Sequence, residues 1–362
     1  MAAQWNLPAL VSLADLGPLD ESISQAAGES VGIHPVSRQP GWLVKVYKAP
    51  LPGEETKHLT ELVNLPSIAS DEERAVIAAS TSWPVAVVAD DPSRALGCVI
   101  PAAAAKFRTT FRPPGGPPAE RALEIDFLAL KDDGFARRGI AAVTAEQRRA
   151  VCRNLVAVAE LLDRHRLVYS DWSYSNAFWS ATDHSVFVID IDGCAPVRAP
   201  NVYQPNWDDP LTPRSEPADR HTDRYRVALL VARCLTGERD RNRALHALGD
   251  LQAPALSEVL LDILLSTERV ARPSLTALRV ALAGQSYVRF PVPRAPLPPR
   301  PPAITVPTVP IQPAARPTPV GTGAGAGATG SGDGMRTATA IAAGVIVVLV
   351  IALCLAIAIA GS

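Results

Sequence analysis

Residues 165–193 read HRLVYSDWSYSNAFWSATDHSVFVIDIDG, and the fold is decided in this stretch. Ala177–Trp179 and Val186–Ile189 are short apolar runs rich in aromatic and β-branched side chains. The polar run Ser180–Ser185 lies between them, so the spacing predicts a β-hairpin. Asn176 enters the first strand and Asp190 leaves the second, and in an antiparallel pair those two ends lie side by side. Asp171, on the loop just before, falls into the same corner. Five residues separate Asp171 from Asn176, and fourteen separate Asn176 from Asp190. Two carboxylates and an amide oxygen gathered there suit a hard, oxygen-seeking cation such as Mg²⁺ and a phosphoryl group. An ordinary polar loop beside a hairpin uses the same residue types, so the surrounding chain has to decide between the two.

Four other stretches bear on that decision. Residues 41–48, GWLVKVYK, alternate apolar and polar and predict a strand carrying Lys45, with Lys48 at its end. Thr144-Ala-Glu-Gln147 has the form of a capping box. Val151, Leu155, Val158 and Leu162 then recur at helical spacing, predicting a long helix that ends just before Asp171. Residues 223–237, DRYRVALLVARCLTG, begin with an acid suited to the orphan N–H groups of a helix start and end on a glycine stop. Finally, Arg272-Pro273-Ser274 follows an apolar helix.

In this order the features resemble the protein kinase superfamily, in its bacterial serine/threonine form. The Asp171 to Asn176 spacing is similar to the kinase catalytic loop, and Asp190 is similar to the metal-binding aspartate that follows it. The resemblance covers residues 12–288. It implies an α+β, bilobal protein-kinase-like fold, with a small β-rich N-lobe over a helical C-lobe and a hinge near Val99–Phe107. ATP and Mg²⁺ are implied between the lobes. By resemblance Asp171 accepts or orients the proton of the acceptor hydroxyl, Asn176 and Asp190 hold Mg²⁺, and Lys45 contacts the ATP phosphates. The carboxylate partner of Lys45 is expected from the next helix, where Glu54, Glu55 and Glu61 are available. Counting back from Leu65-Pro66 selects Glu55. Asp223 resembles the aspartate that braces the catalytic-loop backbone. Arg272 resembles the arginine that pairs with an acid at the end of the activation segment, for which Asp208, Asp209 and Glu216 are all in range. These last two matches favour a protein-kinase-type C-lobe over the small-molecule phosphotransferases.

The chain also departs from the family pattern. In place of a full glycine-rich phosphate loop stands Ala27-Gly28-Glu29-Ser30-Val31-Gly32, in which Gly28 and Gly32 still let backbone N–H groups approach phosphate. Tyr169 replaces the usual histidine. Ser173 replaces a lysine, which removes one positive charge from the transferring phosphoryl group. Asp192 stands where the family has glycine; it reads as a second metal ligand or as a polar loop residue, the latter favoured. The expected activity is ATP-dependent phosphoryl transfer to Ser or Thr of a protein substrate. The alternative is a nucleotide-binding pseudokinase scaffold at the membrane, and a small-molecule phosphotransferase is a third reading. Thr212 and Ser215, in the segment 193–217, are candidates for phosphorylation by location.

Composition agrees with a cytoplasmic enzyme domain. The 362 residues balance to a formal charge of −1, which points to no nucleic-acid partner. The five cysteines are scattered without metal-ligand spacing and read as buried thiols in a reducing compartment. The N-terminus lacks a basic stretch and is interrupted by Asn6, Pro8 and Asp15, so it reads as no signal peptide. Residues 289–336 are expected to be a disordered linker, rich first in proline and then in glycine and alanine. Its PxxP spacings (Pro293–Pro296, Pro307–Pro310) would suit a binder of proline-rich motifs. Residues 337–360 are uncharged and mostly apolar; at ~1.5 Å per residue they are long enough for a ~30 Å hydrocarbon core. They predict a single transmembrane helix in the cell membrane. Arg336 on the near side places the kinase-like domain in the cytoplasm.

Overall fold

A computed structural model of the chain describes residues 5–23, 30–112 and 116–302. Gly28, Cys354, the linker beyond residue 302 and the expected span at 337–360 lie outside the described residues. Among the described residues, no helix is long and apolar enough to cross a membrane.

The fold is mixed α+β. Its first part begins with β1 (Leu10–Val11) and a short helix α1 (Leu13–Leu16), then β2 (Ser30–Pro35) and β3 (Trp42–Tyr47). Two helices follow, α2 (Gly53–Ile68) and α3 (Asp71–Ser80), and then β4 (Ala86–Val88) and β5 (Gly97–Pro101). The strands form one sheet in the order β1-β4-β5-β3-β2, antiparallel except for the β1–β4 pair. The period-two pattern of residues 42–47 explains both faces. Trp42 and Val44 pack with Val11, Leu16, Val36, Ala86, Val88 and Val99 on one side. Leu43 and Tyr47 lie on the other, with Leu59 of α2, Val87, Cys98 and Ile100. Lys45 shares that second face by parity.

Helix α2 buries Thr56, Leu59, Leu62 and Leu65, one residue per turn. Pro66 falls inside its last turn, where the missing N–H leaves the Leu62 carbonyl without its helical donor. The Trp83 indole supplies that hydrogen bond at 2.7 Å. The helix runs two residues past Pro66.

A hairpin of β6 (Arg108–Phe111) and β7 (Ala119–Ala122) and a short helix α4 (Asp132–Ala136) lead to the helical part. Helix α5 (Ala145–Arg164) starts with the capping box its sequence announces: Gln147 N–H donates to Thr144 Oγ1 at 3.2 Å, and Thr144 N–H donates to Gln147 Oε1 at 2.9 Å. Val151, Leu155, Val158 and Leu162 are buried against α6 (Arg220–Thr236), α8 (Pro254–Leu264) and α9 (Leu275–Leu282) in one large core. Gly237 closes α6 in the left-handed conformation, φ 67°. The N-cap of α6 is Asp219, which accepts from the His221 and Thr222 N–H groups. Asp223, four residues on, is therefore not the cap that its place in the sequence suggested, and its carboxylate serves elsewhere.

The proline-rich stretch joins this core further than expected. From residue 285 to Pro302 the chain lies along α8 and along α7 (Arg241–Ala247) as a strap. Thr267 N–H donates to Pro293 O (2.9 Å) and Ala295 N–H to Leu265 O (2.8 Å). Arg289 and Arg294 both pair with Asp262, a fully buried carboxylate on α8. His246 Nε2 lies 2.8 Å from Pro298 O, and Arg243 donates to Pro302 O at 2.9 Å. The two arginines supply the counter-charge that a buried aspartate requires. A boundary at 288 would have cut them off.

Candidate active site

The hairpin forms as its pattern predicts. Strand β9 (Ala177–Trp179) pairs antiparallel with β10 (Val186–Val188), Ala177 opposite Val188. One step beyond, Ile189 N–H donates to Asn176 O at 3.0 Å, so Asn176 sits against the stem of Asp190. A second pairing closes the loop from outside. Strand β8 (Leu167–Val168), just before Asp171, pairs with β11 (Ala195–Pro196), just after Gly193. Both ends of the segment from 169 to 194 are thereby held together.

Within that frame several backbone groups of the loop are held by side chains. Asp223 accepts from the Tyr169 N–H at 2.7 Å and the Ser170 N–H at 2.9 Å, one on each carboxylate oxygen. Burial pushes its carboxyl up to about 7, against the opposing pull of those two donors. The Tyr169 hydroxyl donates to Ile189 O at 2.7 Å, tying the loop to the residue before Asp190. Arg226, almost fully buried on α6, donates to the Ser170 carbonyl and, at 2.7 Å, to Asn201 Oδ1. Ser170 and Asp190 both adopt left-handed backbone, with φ 61° and 58°. For a non-glycine residue that costs about 1–2 kcal/mol, a local strain that the surrounding hydrogen bonds hold in place.

Asn176 Nδ2 donates to Asp171 Oδ2 at 2.7 Å and to the Asp171 carbonyl at 2.9 Å. With the nitrogen committed, the amide presents Oδ1 as its remaining donor atom to a cation. The other Asp171 oxygen, Oδ1, accepts from Gln204 Nε2. Burial raises the Asp171 carboxyl above the ordinary aspartate range; the Asn176 hydrogen bond opposes this and the charge of Asp190 adds to it. That mutual influence, with a smaller one from Lys45, places the three groups in one electrostatic neighbourhood.

Lys45 reaches this corner from β3. Its Nζ lies 3.0 Å from Asp190 Oδ1 and 2.9 Å from Asp192 Oδ1. Burial opposes the charge on Lys45, but Asp192 and Asp190 outweigh it and hold the amine above the usual lysine range. Lys48, its rival in the sequence, lies exposed beyond the strand end. The expected partner Glu55 does not make this contact: it is exposed in the first turn of α2, as is Glu54, and Glu61 is exposed one face further on. A buried ammonium needs a carboxylate that is buried with it, and Asp192 provides one from the same turn as Asp190. Gly32 stands in β2 opposite Val46, beside a register irregularity at Ser30.

The donor set fits Mg²⁺ held in part by the protein. Asn176 Oδ1 and Asp190 Oδ2 are two oxygen donors; the side chain of Asp190 is 40 % exposed, with its other oxygen on Lys45. Mg²⁺ commonly takes one or two protein oxygens and completes its shell with water and phosphate. Among the described residues, no cluster of three His, Cys, Asp or Glu side chains forms a closed metal cage.

The segment after the site is anchored on α6 and on the turn that precedes α9. Of the three acids open to Arg272, Asp209 takes the pairing: two hydrogen bonds of 2.6 Å each, fully buried on both sides. Asp208 pairs with Arg214 at the surface. Arg233 lies over the Trp207 ring at 4.3 Å and donates to Asn206 O at 2.9 Å. Thr212 is buried, with its hydroxyl between Asp209 and Thr222, whereas Ser215 is exposed. Sequence reasoning missed Arg226, Gln204 and the role of Asp192. Only Arg226 left a signal, as one of four arginines on α6.

A 700 Å³ groove runs elsewhere, along α2 and past His165, Leu167, Cys194 and Pro196, and none of the four residues Lys45, Asp171, Asn176 and Asp190 lines it. Comparison with protein-family models gives no match, and no characterised protein matches the chain.

Proposed function

We propose that the chain is a protein-kinase-like phosphotransferase that takes the γ-phosphoryl group of Mg²⁺-ATP to a serine or threonine hydroxyl of a protein, from a bilobal domain anchored to the membrane by residues 337–360. The observation that carries this is the 3.0 Å contact between Lys45 and Asp190. It joins a lysine in the middle of a sheet strand to the aspartate at the end of a hairpin 145 residues later. Around that contact stand a second carboxylate and an amide in the order a phosphoryl-transfer site requires.

In this reading Asn176 and Asp190 would hold Mg²⁺, which would supply charge neutralisation to the ATP phosphates. Lys45 carries positive charge to the phosphate oxygens. Asp171 aligns the acceptor hydroxyl and takes its proton as the new O–P bond forms and the bond from the γ-phosphorus to ADP breaks. The hydroxyl reaches Asp171 by displacing the Gln204 amide from Oδ1. That same contact favours a second reading, a nucleotide-binding pseudokinase whose base is permanently engaged.

Binding separates the site from a chance grouping of polar residues. Mg²⁺-ATP at 100 times its Kd should stabilise the full-length chain in detergent by about 2.7 kcal/mol. Lys45→Met and Asp190→Asn should abolish that shift, and Asp171→Asn should keep it. An equal shift in all four proteins would remove Lys45 and Asp190 from the nucleotide site.

The pH profile carries a sign. The base must be ionised, and its carboxyl is raised by burial, so the acid limb of kcat/KM should lie above the ordinary aspartate value of about 3.9. Asn176→Ala removes the hydrogen bond that lowers it, and the limb should then move further toward neutral pH. A limb that stayed in place or moved to lower pH would show that Asp171 is not the titrating base.

A further inference from the structure

Two carboxylates flank Lys45, and they are not equivalent. The Asp190 side chain is 40 % exposed, whereas that of Asp192 is 3 % exposed. Asp190 gives one oxygen to Lys45, and its other oxygen faces no protein donor among the described residues. Asp192 has both oxygens occupied from the sheet: Lys45 donates to Oδ1 at 2.9 Å and the Tyr47 hydroxyl donates to Oδ2 at 3.0 Å. Lys45 and Tyr47 are two apart on β3, so they leave the strand on the same face and grip one carboxylate between them. The Tyr47 oxygen also lies 3.4 Å from Cys98 Sγ on the adjacent strand β5, where Cys98 is opposite Lys45 in register. Glu54, Glu55 and Glu61 of α2 are all exposed, and Glu61 faces Lys57 instead.

We infer that Asp192 is the positioning residue for Lys45, taking the role that a carboxylate on α2 was expected to perform. The inference rests on the nucleotide-binding reading above. It gives the two acids separate roles. Asp190 is left accessible for the cation, and Asp192 is locked against the sheet to hold the lysine. Because Asp190 and Asp192 belong to one turn, with Asp190 capping Ile191–Gly193, the phosphate-contacting lysine and the cation ligand are set by a single piece of backbone. Alignment of Lys45 then does not depend on where α2 lies. Asp192 is thus neither a metal ligand nor a solvated loop residue.

The test measures binding of Mg²⁺-ATP and of adenosine to the full-length chain in detergent. Asp192→Asn should weaken Mg²⁺-ATP about tenfold or more, the worth of one charge-assisted hydrogen bond, and leave adenosine unchanged. A substitution that merely damaged the fold would weaken both. Asp192→Asn in the Lys45→Met background should lose little beyond Lys45→Met alone, because Asp192 acts through the lysine. A triple change of Glu54, Glu55 and Glu61 to Gln should leave both affinities as they were. Should Asp192→Asn fail to fold, Tyr47→Phe removes one donor without stranding a charge. It should weaken Mg²⁺-ATP by about two- to fivefold, one neutral hydrogen bond's worth, again with adenosine unchanged. Loss of ATP affinity in the glutamate triple variant, or unchanged ATP affinity in Asp192→Asn and Tyr47→Phe, overturns the inference alone. A wild-type chain that binds no Mg²⁺-ATP overturns the nucleotide reading and this inference together.

Discussion

Asp171→Asn should lower the rate of phosphoryl transfer by about 10²–10⁴-fold, the usual contribution of a general base, while Mg²⁺-ATP affinity stays within about twofold. The substitution keeps the size of the side chain and an oxygen for the 2.7 Å Asn176 hydrogen bond, so the loop should hold its shape. What is lost is the charge that receives the acceptor proton. Asp190→Asn should lose both rate and affinity, because it removes an anionic cation ligand and one of the two counter-charges of Lys45. The contrast between these variants is the informative quantity. If Asp171→Asn lowered affinity and rate in proportion, Asp171 would be a binding residue and not the base.

The second large effect is on stability. Arg272→Met should cost about 3–5 kcal/mol, the range for breaking one side of a buried ion pair. The guanidinium makes two 2.6 Å hydrogen bonds to Asp209 and one of 2.9 Å to His221 O, and neither member of the pair is in contact with water. Its loss strands a carboxylate that also orders Leu211 N–H at 3.0 Å and the Thr212 hydroxyl at 2.8 Å. At about 2–4 °C per kcal/mol for a domain near this size, the melting temperature should fall by roughly 6–20 °C. Asp209→Leu in the Arg272→Met background should recover most of that loss, since a packed apolar pair often replaces a buried ion pair at little cost. A single variant within about 1 kcal/mol of wild type, as for an exposed pair, would show that the bridge is not buried in solution.

What the sequence revealed and what it hid differ by range. The β9–β10 hairpin, the Thr144–Gln147 capping box and the buried stripe of α5 are local patterns, and each was legible from spacing alone. The Asp223 contact to the loop was legible by position, although the nearby Asp219 takes the cap that Asp223 was expected to make. Asp208, Asp209 and Glu216 could not be ranked from sequence, because burial decides between them and burial depends on how 193–217 folds back on α6 and the turn before α9. The Lys45–Asp192 pair joins residues 147 positions apart and leaves no periodic trace. Counting along α2 for a glutamate therefore selected Glu55, a helix-surface residue. Gln204 was hidden for the same reason: nothing local to residues 201–206 indicates that its amide will meet Asp171. The strap from 285 to 302 was obscured by composition, since proline suits an extended spacer and an extended docked segment equally well. The arginine partners of the buried Asp262 mark it as docked, and they become visible only in three dimensions.

Phosphate transfer by the full-length chain in detergent tests the proposed activity at its source. Mg²⁺-ATP and a generic acceptor protein would be supplied, and the intact mass of chain and acceptor followed with Lys45→Met and Asp190→Asn in parallel. Phosphate on serine or threonine is expected with the wild type and none with either variant. Equal incorporation by Asp190→Asn, or no incorporation by a wild type that Mg²⁺-ATP also fails to stabilise, would contradict the proposed activity.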